Sequence, residues 1–131
     1  MTTNMAHYVV DTAKVLYPDE SFQIAGVCFY AQNRLGRFAK EKQYVDIMEA
    51  RFIELGIPCR RELVVGATGN RVDLVVYDKI LIEAKAKPFL NQDDYAQVQR
   101  YLQVLHLDLG LIVNFWARSA QPHRILKQKM S

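Results

Sequence analysis

The sequence predicts an α/β domain, a mixed β-sheet flanked by helices. Three observations predict it. Apolar residues recur at helical spacing as far as Leu55. Beyond Gly56 the period changes to short strand-like runs, three of them in succession. A helix-like segment then precedes a last pair of strands, and a crossover of that length allows a parallel return strand.

Taken in order, Ala6 to Leu16 reads as a helix stopped by Pro18, the least defined part of the chain. Phe22 to Arg34 reads as a second helix, ending near Leu35-Gly36, because glycine after an apolar periodic stretch is a common stop. A long amphipathic helix from Phe38 or Ala39 to Leu55, closed by Gly56, aligns Tyr44, Val45, Met48, Phe52 and Leu55 on one face. Cys59–Val65 reads as a strand and Gly66–Asn70 as a turn cluster. Arg71–Tyr77 and Ile80–Lys87 read as two strands with a tight turn at Asp78 and a stop at Pro88. Asp93 or Asp94 is placed to cap a helix reaching about His106. Gly110–Phe115 makes a fourth strand and Arg124–Lys127 a fifth.

The 131 residues suit one domain, with residues 1–21 as an N-terminal extension. Seventeen Lys and Arg against fourteen Asp and Glu give +3. That balance permits a nucleic-acid partner without arguing strongly for one. Cys28 and Cys59 match no metal or redox spacing and read as two buried thiols in a reducing compartment. No secretory signal and no membrane-length apolar run is evident, so a cytoplasmic protein is expected.

Chemistry concentrates in Asp73…Glu83-Ala84-Lys85. These charges interrupt two strands, Leu74-Val-Val76 and Ile80-Leu-Ile82, that otherwise read as buried on both faces. Two carboxylates can hold a Mg²⁺, and a lysine can steer or activate a water. Residues two apart in a strand share a face, so Glu83 and Lys85 point the same way. Where Asp73 points depends on the turn. A two-residue turn at Asp78-Lys79 would pair Asp73 with Ala84. A three-residue turn, Tyr77-Asp78-Lys79, would pair it with Glu83, about 4.5–5.5 Å apart at Cβ. Opposed carboxylates repel without a cation between them. The plainer alternative is a Glu83–Lys85 ion pair on a solvated edge strand.

Two further clues stand beside this set. Glu41 falls on the apolar face of the long helix with Tyr44, Val45 and Met48, as a first-turn glutamate favoured by the helix dipole or as a core-facing third carboxylate. Gln97 and Tyr101, four apart, share a helix face. They suit the edge of a core, or hydrogen bonds to a phosphate or to the lysine. Trp116 follows a strand end, where it packs in a core or rim or offers a stacking face.

In order along the chain, these residues resemble the PD-(D/E)XK nuclease superfamily, and within it the GxxExxY family. The resemblance covers roughly residues 22–127. It rests on Ile24 through Leu35-Gly36, Glu41-Lys-Gln-Tyr44, Arg71-Val-Asp73-Leu74, Glu83-Ala-Lys85, Ala96-Gln97…Tyr101-Leu102, Leu109-Gly-Leu-Ile-Val-Asn114-Phe115 and Arg124-Ile125. Gly36 lies two positions before the family's first glycine, Val72 stands where proline is common, and Asp94 stands where members often carry histidine.

The resemblance implies a restriction-endonuclease-like α-β-β-β-α-β core. It implies that Asp73, Glu83 and the Ala84 carbonyl bind Mg²⁺ or Mn²⁺, joined by Glu41 directly or through water. Lys85 would position or activate the attacking water, supported by Gln97 and Tyr101. Arg71 and Lys87, with Arg60, Arg61 and Arg124, would meet phosphates. The implied substrate is DNA, with RNA not excluded, and a homodimer would let two sites cut two strands. The competing expectations are a nucleic-acid-binding or regulatory module of the same fold with little hydrolysis, and a purely protein-interacting domain.

Overall fold

A computed structural model describes residues 15–129, apart from the side chains at positions 62, 63 and 68. Among the described residues three α-helices pack on a five-stranded sheet. They are α1 (Pro18–Leu35), α2 (Glu41–Glu54) and α3 (Gln92–Leu105). The strands are β1 (Cys59–Val65), β2 (Asn70–Val76), β3 (Ile80–Lys85), β4 (Leu109–Asn114) and β5 (His123–Leu126), in sheet order β1-β2-β3-β4-β5. The first three form an antiparallel meander, β4 returns parallel to β3 through α3, and β5 closes antiparallel to β4. The expected mixed sheet flanked by helices is therefore observed.

Alternation along the strands divides the interior into two cores. Leu74, Val76, Ile80, Ile82, Ala84, Leu109, Leu111 and Val113 pack against α1 and α2 through Ile24, Val27, Tyr44, Met48 and Phe52. Val75, Leu81 and Ile112 face α3 through Val98, Tyr101 and Leu102. Gly110 is where α3 comes closest. A Cβ there would lie 2.6 Å from Val98 Cγ1, so only glycine admits the helix at this height.

Several boundaries differ from expectation. The helix expected over Ala6–Leu16 falls largely outside the described residues. Pro18 opens α1, four residues before the expected start at Phe22. At the first turn its fixed φ suits the helix and its missing N–H costs nothing, and Asp19 and Glu20 follow at the positive end of the dipole. α2 begins at Glu41, not at Phe38 or Ala39, because residues 36–40 are held as a loop. The Tyr44 hydroxyl donates to the Gly36 carbonyl and accepts the Ala39 N–H, and Gln43 Oε1 accepts the Lys40 N–H at 2.9 Å. α3 is capped by Asn91, not by Asp93 or Asp94. Asn91 Oδ1 accepts the Asp94 N–H at 3.1 Å and Asp94 Oδ2 accepts the Asn91 N–H at 2.8 Å, a reciprocal box. Cys28 is buried and Cys59 only partly so, and burial pushes their thiols up to about 12 and about 11, which makes them inert.

A candidate metal-dependent active site

The β2–β3 hairpin sets the site. Val76 pairs with Ile80, Val75 with Leu81 and Leu74 with Ile82, so Asp73 is next in line with Glu83. The turn has the odd length. Tyr77 and Asp78 both take positive φ (59° and 56°), Lys79 donates its N–H to the Val76 carbonyl at 3.1 Å, and Lys79 is the extra residue before pairing resumes. Of the two registers open to the sequence, the three-residue turn is the one adopted.

Beyond Leu74 and Ile82 the ladder gives way to carboxylates. Glu83 Oε1 accepts the Asp73 N–H at 2.9 Å, and Asp73 Oδ2 accepts the Ala84 N–H at 2.8 Å. Each acid thus fills the place of a strand carbonyl on its neighbour. Glu83 is 5% exposed. Burial, followed by the charge of Asp73, pushes its carboxyl up to about 8, against the pull of the Asp73 N–H and of Lys85. Burial also raises Asp73, opposed by the Ala84 N–H and reinforced by the charge of Glu41. Two acids raised by burial and by neighbouring carboxylates, Glu41 for Asp73 and Asp73 for Glu83, are the electrostatic signature of a place that gains from a cation.

Lys85 lies on the Glu83 side of β3, facing α3, and donates to Gln97 Oε1 at 3.1 Å. Tyr101, one helical turn on, is buried. Burial and the nearby charge of Glu83 raise its phenol, while a hydrogen bond with Gln97 opposes them. Gln97 and Tyr101 therefore lie together beside the constellation, Gln97 in contact with its lysine.

Asp94 was not singled out as a site residue, yet it anchors the site. Its carboxylate pairs with Lys87 Nζ at 2.6 Å and lies 3.9 Å from Lys85 Nζ. Burial raises it, but the Lys87 hydrogen bond, the Asn91 N–H and both lysines outweigh that and leave it below the usual range. Through Lys87 it pins the start of α3 to the end of β3 and so sets Gln97 over Lys85. Asn114, also overlooked in this role, holds the chain leaving β3. Its Nδ2 donates to the Lys87 carbonyl at 2.8 Å, and its Oδ1 accepts the N–H of Lys87 at 3.3 Å and of Trp116 at 3.2 Å. The readable signals were the Asn91…Asp94 box and a lone amide ending an otherwise apolar strand.

Glu41 needs correction. It is exposed at the first position of α2 and not core-facing, because the helix starts later than its periodicity suggests. It lines a cleft of about 290 Å³ with Lys42, Val45, Arg61 and Asp73, and its charge acts on both Asp73 and Glu83. Among the described residues, no group of three carboxylate, histidine or cysteine side chains is close enough to hold a metal ion. The expected three-carboxylate cluster is thus two opposed acids with a third across a cleft. The donor set still fits Mg²⁺ or Mn²⁺. Both are hard cations that bind through one or two carboxylates and keep several waters, and Asp73 of the pair lines the cleft together with Glu41. Ala84 enters the site through its N–H to Asp73.

The candidate phosphate contacts diverge. Arg61 lines the cleft but is paired with Asp46 at 2.6 Å and Glu49 at 3.1 Å. Arg60 pairs with Asp78 at 3.0 Å. Arg71 is exposed on β2, two residues from Asp73, with a partner of its own. Lys87 is engaged by Asp94. Arg124, on the outer strand β5, binds Ser21 Oγ at 2.7 Å and the Leu16 carbonyl, so it ties β5 to the start of α1 instead of reaching the site. Among the described residues no helix is long and apolar enough to cross a membrane.

The family model of the PD-(D/E)XK nuclease superfamily matches residues 18–125. That span holds every element from α1 to most of β5, and every residue of the constellation. No curated protein matches the chain, and no solved structure matches it.

Proposed function

The chain belongs to the PD-(D/E)XK nuclease superfamily, and from that premise we propose that it is a Mg²⁺- or Mn²⁺-dependent nuclease that hydrolyses phosphodiester bonds of DNA, in the GxxExxY branch. The observation that carries the reading is the opposed Asp73–Glu83 pair, with Lys85 on the Glu83 side of the strand and held by Gln97. The ExxY half of the branch motif has a physical sense here. Tyr44 stacks on Phe115 at 4.1 Å and ties down residues 36–39, which sets the start of α2 so that Glu41 lines the cleft.

Asp73 and Glu83 would hold the cation, with Glu41 reaching it directly or through water. A divalent ion there offsets the buried acids and lowers the pKa of a water. Lys85 places an ammonium beside the acids, where it attracts the phosphate and opposes the charge that grows on its oxygens. Gln97 fixes that ammonium and keeps it from collapsing onto Asp94. The crossed hydrogen bonds hold both carboxylates in place before substrate arrives, so little reorganisation is left for the reaction.

A second reading, a nucleic-acid-binding module with little hydrolysis, draws on Glu41 standing apart from the other two acids. One assay separates them. Wild type and Asp73→Ala are incubated with single-stranded, duplex and branched DNA, and with RNA, under each metal. Metal-dependent cleavage that vanishes in the variant is expected, and no cleavage of any substrate by wild type would overturn the enzyme reading. Cleavage of RNA alone would move the substrate class.

A further inference from the structure

At the strand ends that carry Lys85, an aromatic and basic rim stands outside the constellation. Phe38, in the loop before α2, is 69% exposed, and Phe89, just past β3, is 82% exposed. Trp116, just past β4, is half-buried and meets Phe38 edge-on at 4.9 Å. Arg37 ties the pair together: its Nε donates to the Trp116 carbonyl at 2.8 Å and its guanidinium lies 5.3 Å from the Phe38 ring centre.

The rim is continuous with the site. Asn114 pairs in register with Lys85, Phe115 donates its N–H to the Lys85 carbonyl at 2.8 Å, and the N–H groups of Lys87 and Trp116 share Asn114 Oδ1. Phe38 is three residues before Glu41. Exposed aromatics of this size are costly in water, and nothing in a hydrophobic core requires Phe38 or Phe89 to be where they are.

Charge identifies the occupant. Residues 34–40 and 115–120 carry Arg34, Arg37, Lys40 and Arg118 and no Asp or Glu, although acids nearly match bases over the whole chain, while Lys85 and Lys87 beside them are met by Asp94. A surface that alternates cations with exposed rings suits a chain of phosphates and flat heterocycles. Such groups stack on aromatic faces only when the bases are unpaired. We propose that Phe38 and Trp116, steadied by Arg37, form a stacking platform for an unpaired base next to the phosphate cut at Asp73 and Glu83, so that the substrate carries a single-stranded stretch there. This rests on the nuclease reading and names its substrate class.

Trp116 is the only tryptophan, so its fluorescence reports the platform alone. Wild type in chelator is titrated with three probes: labelled oligothymidylate, the same sugar–phosphate chain without bases, and a blunt duplex. The expected result is a quench with oligothymidylate only, and label anisotropy showing Phe38→Ala binding it about 5- to 100-fold more weakly. Phe38→Tyr should restore binding. The exposure of Phe38 makes unfolding by Phe38→Ala unexpected, and circular dichroism checks it. Binding of oligothymidylate without a quench, an equal quench by the duplex, or unchanged affinity in Phe38→Ala would each overturn the platform. Hydrolysis plays no part in this readout. A protein that cleaves without the quench loses the platform and keeps the nuclease reading, and one that quenches but never cleaves does the reverse.

Discussion

Asp73 and Glu83 bind each other's strand backbone crosswise, Glu83 Oε1 to the Asp73 N–H and Asp73 Oδ2 to the Ala84 N–H, which holds two raised carboxylates face to face in an opened ladder. Asp73→Asn and Glu83→Gln test what that arrangement is for. Each amide keeps an oxygen that can accept the same N–H, so the strands should stay paired and circular dichroism should be unchanged. Metal-dependent cleavage should fall by at least about 100-fold, the scale of losing a preorganised electrostatic group. Wild-type turnover in either variant would mean that the pair is structural.

Lys85 and Gln97 make the second test. Lys85→Ala should cost as much as loss of a carboxylate. In Gln97→Ala the lysine keeps its charge but loses its fixed acceptor, and Asp94 lies 3.9 Å from its ammonium. A drop of about tenfold in kcat with little change in KM is the expected pattern for a positioning residue. A rise in KM alone would put Gln97 in substrate binding instead.

Glu83 makes the stability of the metal-free protein pH-dependent. Its carboxyl rises from the ordinary 4.5 to about 8 on folding, so between those values the native state holds a proton that the unfolded chain has released. Stability is then greatest near the lower value and is lost as pH rises towards the upper one. Asp73 is raised too and acts in the same direction, while Asp94 is lowered, so its contribution is lost only on the acid side of that window. Thermal melts in chelator should show a midpoint that falls between about pH 5 and about pH 8, with a flatter profile for Glu83→Gln. Mg²⁺ competes with that proton, so the stabilisation on adding it should grow with pH, reaching about 2.7 kcal/mol at a hundredfold excess over Kd. An equal gain in Glu83→Gln would place the metal elsewhere.

The register of Asp73 against Glu83 was nearly legible in the sequence. Side chains alternate strictly along two paired strands, which leaves only the turn length open, and Tyr77-Asp78-Lys79 takes the odd choice. The face shared by Glu83 and Lys85, and by Gln97 and Tyr101, followed from local geometry alone. What depended on distant partners was not legible. The start of α2 is decided by a hydroxyl on Tyr44 that in turn stacks on Phe115, seventy-one positions away along the chain. The cations show the same limit, since Arg61 meets Asp46 and Glu49, and Arg124 meets Ser21, only once the helices have docked. The start of α1 at Pro18 was not legible for another reason: proline marks both the end of one helix and the first turn of the next, and only the flanking Asp19 and Glu20 favour the second.

Tyr44→Phe keeps the ring on Phe115 and deletes the hydroxyl that joins Gly36 to Ala39. Losing these bonds should cost about 1–3 kcal/mol, because their partners are partly buried. Residues 36–40 should loosen and Glu41 with them, so cleavage should fall more than stability does, while Tyr44→Ala should fail on stability first. Wild-type activity in Tyr44→Phe would show that Glu41 needs no such support.

Gly110 tests whether the seating of α3 controls the site at a distance. A Cβ at this position meets Val98 Cγ1 at 2.6 Å and the Leu102 methyls at 3.6 Å. Val98 is a stiff β-branched side chain, so the helix must shift or the valine must leave its rotamer. Gly110→Ala should therefore lose about 1–3 kcal/mol in denaturant melts, the usual cost of overpacking. The same helix carries Asp94, Gln97 and Tyr101, so its displacement should lower kcat although Gly110 touches no reacting group. Val98→Ala makes room for the added methyl, and the double variant should recover both stability and turnover beyond the sum of the single effects. Recovery of stability without turnover would mean that α3 can regain its packing in a position that no longer sets Gln97 on Lys85.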